Sequence, residues 1–169
     1  MKCKDDQTYL EDHDKVDAQQ ISKKIKQQCL RLLTRREHSR KEIQHKLALK
    51  GYKAEQVGTV IDELTQQSWQ DDSRYAESYA RVRSQKGFGP VRIAYELKEQ
   101  GVSSDTVDKV LITTTDNWMK LMEQVYNKKY PKTIALDNTA RANRIRFLQQ
   151  RGFSLTMIHQ LLKQTTKSN

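Results

Sequence analysis

The chain has 169 residues, room for one domain or an array of small repeats and too little for most enzymes built around a separate cofactor domain. Its 31 Lys and Arg against 21 Asp and Glu leave +10, a surplus that favours an anionic partner such as nucleic acid or a protein bound to it, with simple solubility as the plainer reading. An apolar share of 36%, six glycines and two prolines argue against an all-β sandwich and for an all-helical chain with a thin, divided core, and no apolar run approaches a membrane span.

Residues 1–20 come first as an acidic segment, with three Lys and six Asp or Glu for a net −3, so the remaining chain carries +13. Such a segment either competes with an anionic partner for the basic body or forms a disordered, solubilising leader. The opening residues MKCKDDQTYLEDHDK are charged where a signal peptide needs its apolar stretch, which predicts a cytoplasmic protein. Cys3 and Cys29 are too few for a disulfide framework and agree with a reducing compartment.

Three units of three helices are predicted next, over 21–69, 70–113 and 114–169. The first helix of each carries an apolar stripe: Ile25, Cys29, Leu32 and Leu33, then Tyr75, Tyr79 and Val82 after the pair Asp71 and Asp72, then Trp118, Leu121, Met122 and Val125. Second helices are predicted near 39–50, opened by the capping box of Ser39 and Glu42, and near 90–100, opened by Pro90. Gly51, Gly101 and Gly152 stop the second helices at spacings of 50 and 51, each at the C-cap position where a left-handed residue is wanted. Around them one register returns. Leu47, Leu97 and Leu148 stand four residues before; Val57, Val107 and Ile158 stand six after; Val60, Val110 and Leu161 stand nine after; Ile61, Leu111 and Leu162 stand ten after. The residues after each glycine describe a third amphipathic helix. No unit of this size buries much apolar surface alone, so the three are expected to stack into an elongated, curved array suited to lying along a polymer. One position breaks the register: where Ile43 and Ile93 stand eight residues before the glycine, the third unit has Arg144, with Ile145 displaced by one, which predicts a rotated helix.

A projection of residues 72–85 at roughly 100° per residue places Arg74, Ser78, Arg81 and Gln85 together, so Arg74 and Arg81 are predicted to point outward. Arg83 falls on the packed side between Tyr79 and Ala76. It is expected to have a structural role, paired with Asp71, Asp72 or Glu96, or else to snorkel to water. Phe88, between Gly87 and Gly89, is either an exposed ring able to stack on a base or a clasp over the helix junction; the same turn either offers helix N–H groups to a phosphate or is a plain connection. Tyr75, Tyr79, Trp118 and Tyr126 follow helical spacing and read as core. His13, His38, His45 and His159 are scattered, so no metal site is expected, and no cofactor or nucleophile motif occurs.

Asp71 to Gly101, DDSRYAESYARVRSQKGFGPVRIAYELKEQG, resembles the central signature of the RecX family, bacterial regulators of the RecA recombinase. Ser39 to Tyr52, SRKEIQHKLALKGY, is similar to the family's first repeat, and Arg146 to Phe153, RFLQQRGF, to its last. The resemblance implies tandem three-helix repeats that bind the RecA–DNA filament, suppress its ATPase, strand-exchange and coprotease activities, and promote its disassembly. The implied partners are the RecA filament and DNA bound without sequence preference, the chain acting as a monomer, off the membrane and without enzymatic chemistry. Combined with helical geometry, it marks Arg74, Arg81, Lys86, Arg92 and Lys98 as the central contact, with Lys46, Lys50, Arg141 and Arg151 in the outer units. Asp71, Asp72, Arg83, Gly51, Gly101 and Gly152 are expected to be structural. The alternative is a DNA-binding protein of helix-turn-helix-like units, but residues 54–68 and 104–115 carry Glu55, Asp62, Glu63, Asp105 and Asp108 against one cation, Lys109, which disfavours major-groove reading.

Overall fold

A computed structural model describes residues 5–115, 117–130 and 137–167, with side chains described within 18–164. Among the described residues there are nine α-helices and no strand: α1 (Asp5–Leu33), α2 (Arg40–Ala48), α3 (Ala54–Gln66), α4 (Asp72–Gln85), α5 (Pro90–Glu99), α6 (Ser104–Thr114), α7 (Trp118–Lys129), α8 (Asn138–Arg151) and α9 (Leu155–Lys167). They form two compact units, Met1–Asp72 and Ser73–Asn169.

In the first unit, α1, α2 and α3 enclose Ile25, Cys29, Ile43, Leu47, Val57, Val60, Ile61 and Leu64. Ser39 caps α2, its Oγ accepting from the Glu42 N–H at 3.0 Å. Gln70, buried, donates to the His38 carbonyl (3.3 Å) and to Asp72 (2.8 Å), and Asp72 also accepts from the Arg40 N–H at 2.9 Å, in the first turn of α2. Asp72 is therefore a support of α2, not the partner of Arg83. The acidic segment, expected as a competitor or a disordered leader, is helical from Asp5 and continuous with the first helix of the unit. Its acidic side chains up to Asp17 and the Cys3 and His13 positions lie outside the described side chains.

The second unit holds two cores. α4, α5 and α6 bury Tyr75, Ala76, Ala80, Ile93, Leu97, Val102, Val107 and Val110; α7, α8 and α9 bury Met122, Tyr126, Leu148, Phe153, Ile158, Leu161 and Leu162. Val82, expected in the core, is 44% exposed, while Ala76 and Ala80 are fully buried. The buried arc of α4 is thus centred on Arg83's side of the helix, through Tyr75, Ala76, Ala80 and Ser84. The weight given to large side chains in the sequence pattern set the arc too far round.

Gly51, Gly101 and Gly152 have φ of 85°, 82° and 90°, and the same pair of bonds ends each second helix. The N–H after the glycine reaches back to Leu47, Leu97 or Leu148 at 3.1–3.2 Å, and the glycine's own N–H to Ala48, Lys98 or Gln149 at 2.8–2.9 Å. Arg144 does not rotate α8. It stands where Ile43 and Ile93 stand and is itself 8% exposed, hydrogen-bonded to the Tyr126 hydroxyl and lying over the Tyr126 and Tyr130 rings at 5.4 and 4.7 Å, while Ile145 is half-buried beside it. A cation can take a core position when a hydroxyl and two ring faces replace its water.

Two features join these cores. Trp118, at the start of α7, packs on the α4–α6 core and donates its indole N–H to the Leu111 carbonyl at 3.2 Å. The N-terminus of α5, which has no side-chain cap, meets the C-terminus of α8: the Gly89 N–H donates to the Arg151 carbonyl (2.8 Å) and the Val91 N–H to the Gly152 carbonyl (3.0 Å). Each helix end thereby satisfies groups the other leaves open. A Cβ on Gly89 would strike the Gly152 carbonyl, and one on Gly152 would strike the Arg92 backbone, so only glycines allow this approach.

Candidate functional site

The seam between α5 and α8 decides the fate of the turn before α5. Its N–H groups are given to the α8 carbonyls, so they are not offered to a phosphate. Phe88 is half-buried against the α4–α6 core and faces three guanidinium groups, with Arg83 at 3.7 Å, Arg92 at 4.6 Å and Arg151 at 5.2 Å from its centroid. It is a clasp and not a free stacking surface. Of the three carboxylates available to Arg83, Glu96 is the partner, taking Nε at 2.7 Å and a second bond from Nη2. Glu96 also accepts from Arg92 Nε (2.9 Å) and the Tyr79 hydroxyl (3.0 Å). Burial opposes its charge, but the bonds from Arg83, Arg92 and Tyr79 outweigh that and hold its carboxyl below the usual carboxylate range. Burial and the same Glu96 bond push the Tyr79 hydroxyl up.

This network engages Arg92, whose Nη1 also donates to the Gln150 carbonyl at 3.0 Å. Arg92 therefore serves the seam as much as any outside partner. The remaining candidate cations divide similarly. Arg81, Lys86 and Lys98 are exposed, whereas Arg74 is half-buried and engaged with neighbours, which a projection of one helix leaves out. Lys46 lies 3.7 Å from Glu42, Lys50 donates to Gln28 at 2.6 Å, and Arg141 is half-buried. In the first unit the neighbouring surface is likewise paired: Arg36 with Glu42, Arg40 with Asp62 at 2.5 Å, and Lys26 with Glu63 at 3.6 Å.

One group of cations is brought together without a counter-charge. The α4–α5 turn, α7 and α8 border a cleft of about 480 Å³ lined by Gln85, Lys86, Gly87, Leu121, Gln124, Val125, Lys128, Lys129, Phe147 and Arg151. Leu121, Val125 and Phe147 form an apolar floor, and four cations rim it. Arg151 is oriented by donating Nη1 to the Lys86 carbonyl at 3.0 Å, and the Lys129 ammonium sits 3.9 Å from the Phe147 centroid. No carboxylate lines the cleft, and among the described residues none of the four cations has an ion pair. Lys86 and Arg151 are among the residues marked from sequence; Lys128 and Lys129 are not. Their signal was the doubled lysine in the last turn of α7, where a helix C-terminus favours cations, in a helix otherwise read only for its apolar stripe.

Family models described as the first, second and third three-helix domains of RecX match residues 26–64, 71–111 and 119–162. The chain belongs to the RecX family. A regulatory protein RecX from Pseudomonas fluorescens is 36% identical over 138 residues, covering 82% of this chain and 89% of that protein. One from Halorhodospira halophila is 34% identical over 142 residues, covering 84% and 88%. A crystal structure of a regulatory protein RecX shares the fold at a TM-score of 0.71, with 18% identity over 94% of this chain and 77% of that one. RecX from Lactobacillus salivarius does so at 0.68, with 22% identity over 86% and 96%. The matched segments coincide with the three helix triplets, each built on its own buried core. The relatives are named as regulatory proteins, and a regulatory role follows for this chain. No described helix is long and apolar enough to cross a membrane, and no group of His, Cys, Asp or Glu among the described residues has the makings of a metal site.

Proposed function

We propose that the chain binds the RecA–DNA filament as a monomer in the cytoplasm, inhibits its ATPase, strand-exchange and coprotease activities, and promotes its disassembly, without reaction chemistry of its own. The observation that carries this reading is the set of cations on the Ser73–Asn169 unit that have no ion pair among the described residues: Arg81, Lys86, Lys98, Lys128, Lys129 and Arg151. A filament of protein on a polyanion is attracted to such a surface, and binding that occupies its subunits obstructs the motions and partners it needs. The competing reading, helix-turn-helix recognition of duplex DNA, is weakened by the exposed acids of α3 and α6: Glu55, Asp62 and Glu63, then Asp105 and Asp108, with Lys109 as the sole cation on those two helices.

The test is the DNA-dependent ATPase of RecA, titrated with this protein at several salt concentrations. Inhibition that weakens with salt is expected. Substoichiometric inhibition would indicate end-capping or propagated disassembly, and saturation near one protein per several subunits would indicate occupation of the filament groove. Full ATPase activity in the presence of saturating protein would refute the reading.

A further inference from the structure

Resting on the filament reading, we infer that the cleft bordered by α4, α7 and α8 is a docking site for an acidic polypeptide segment carrying bulky apolar side chains, so that this part of the surface meets protein and not DNA. The inference starts from the chemistry of the lining. A rim of Lys86, Lys128, Lys129 and Arg151 calls for several negative charges, and a floor of Leu121, Val125 and Phe147 calls for apolar surface among them. The helix dipole favours cations at the ends of α4, α7 and α8 alike, but it does not require Lys86, Lys128, Lys129 and Arg151 to converge on one hollow.

A nucleic-acid strand supplies the charge and fits the floor poorly. Its phosphates have no apolar surface to bury, and its bases would need an open ring face. The Phe147 ring already has Lys129 at 3.9 Å and Arg151 at 5.4 Å from its centroid and the Tyr130 ring packed edge-on at 5.9 Å, so a base stacking there competes with groups in place. A leucine or phenylalanine side chain needs no such face. It lies on Leu121 and Val125 while the carboxylates beside it reach the rim, and the size of the cleft is in the range of sites that enclose a ligand. Arg151 is held in place by the Lys86 carbonyl, so part of the rim is ordered before anything binds.

The probe is a short fluorescent peptide of alternating glutamates with one leucine and one phenylalanine, used with the full chain. Binding is expected, with at least a tenfold loss for K128E/K129E and a similar loss when the two apolar residues of the peptide are replaced by serine. Both lysines are exposed, and circular dichroism of the variant verifies its fold. Equal binding of the serine peptide, displacement of the peptide by oligothymidylate at matching concentration, or no binding at all overturns the assignment; displacement in particular would make the cleft a nucleic-acid site. RecA ATPase inhibition measured in parallel separates the two proposals. A protein that inhibits RecA and ignores the peptide refutes only the cleft assignment, whereas one that binds the peptide and leaves RecA untouched refutes the filament reading.

Discussion

Replacing Gly152 by alanine, with Gly51→Ala as its matched control, isolates the contact that joins the two cores of the Ser73–Asn169 unit. Both glycines hold nearly the same left-handed conformation, φ of 90° and 85°, and both end a second helix with the same pair of hydrogen bonds. The conformational cost of alanine is therefore similar, about 1–2 kcal/mol. They differ in what a new Cβ meets: nothing within 4 Å at Gly51, but the Arg92 backbone and Cβ at Gly152. These atoms belong to the first turn of α5 and cannot swing aside as a side-chain tip would, so overpacking adds about 1–3 kcal/mol at Gly152 alone. Hydrogen exchange read by mass spectrometry, on α2 peptides for one variant and on α5 and α8 peptides for the other, measures each loss in its own unit. G152A should also expose the first turn of α5, where the Gly89 and Val91 N–H groups lose the α8 carbonyls. If G152A costs no more than G51A, the close approach of α5 and α8 contributes nothing to stability.

Three further outcomes are expected. Glu96 has a folded pKa below its ordinary value of 4.5, so its contribution is complete above that pH and is lost as the pH falls through the folded value; E96Q should lower stability by about 1–3 kcal/mol at pH 7 and flatten the acid loss below pH 4.5, as urea titrations followed by Trp118 fluorescence in a W69F background would record. Arg144 and Tyr126 act as a pair, so a double-mutant cycle of R144I and Y126F should give a coupling of about 0.5–3 kcal/mol, and additivity would show that Arg144 simply fills space. Reversing the exposed pair, R81E/K98E, should leave the circular dichroism unchanged and weaken inhibition of RecA ATPase about tenfold, equivalent to ~1.4 kcal/mol, with wild-type potency moving the contact elsewhere.

The amino-acid sequence by itself determined the helices, their grouping and their ends. Helical periodicity and C-capping are local: Leu47, Leu97 and Leu148 and the glycines after them repeat because each second helix must bury one stripe and then stop, and neither requirement depends on the rest of the molecule. Arg83 was legible for the same reason, since a cation on a packed arc needs groups that replace its water, although only the tertiary fold selected Glu96 over Asp71 and Asp72. The surface was decided by tertiary structure. Val82 lies outside the core because the packed arc of α4 runs through Ala76, Ala80 and Ser84, and Arg144 keeps an isoleucine's place because Tyr126 of α7 and Tyr130 just after it solvate the guanidinium. Arg92 and Lys50 look in the sequence like Arg81 and Lys86, yet neighbouring elements give them partners and leave the others bare. The cleft is the strongest case, because Lys86, Lys128 and Arg151 come from three elements far apart in the chain. Charges add along a sequence, but whether they are neutralised or concentrated depends on which side chains the packed helices bring within a few ångströms, and periodicity carries no record of that.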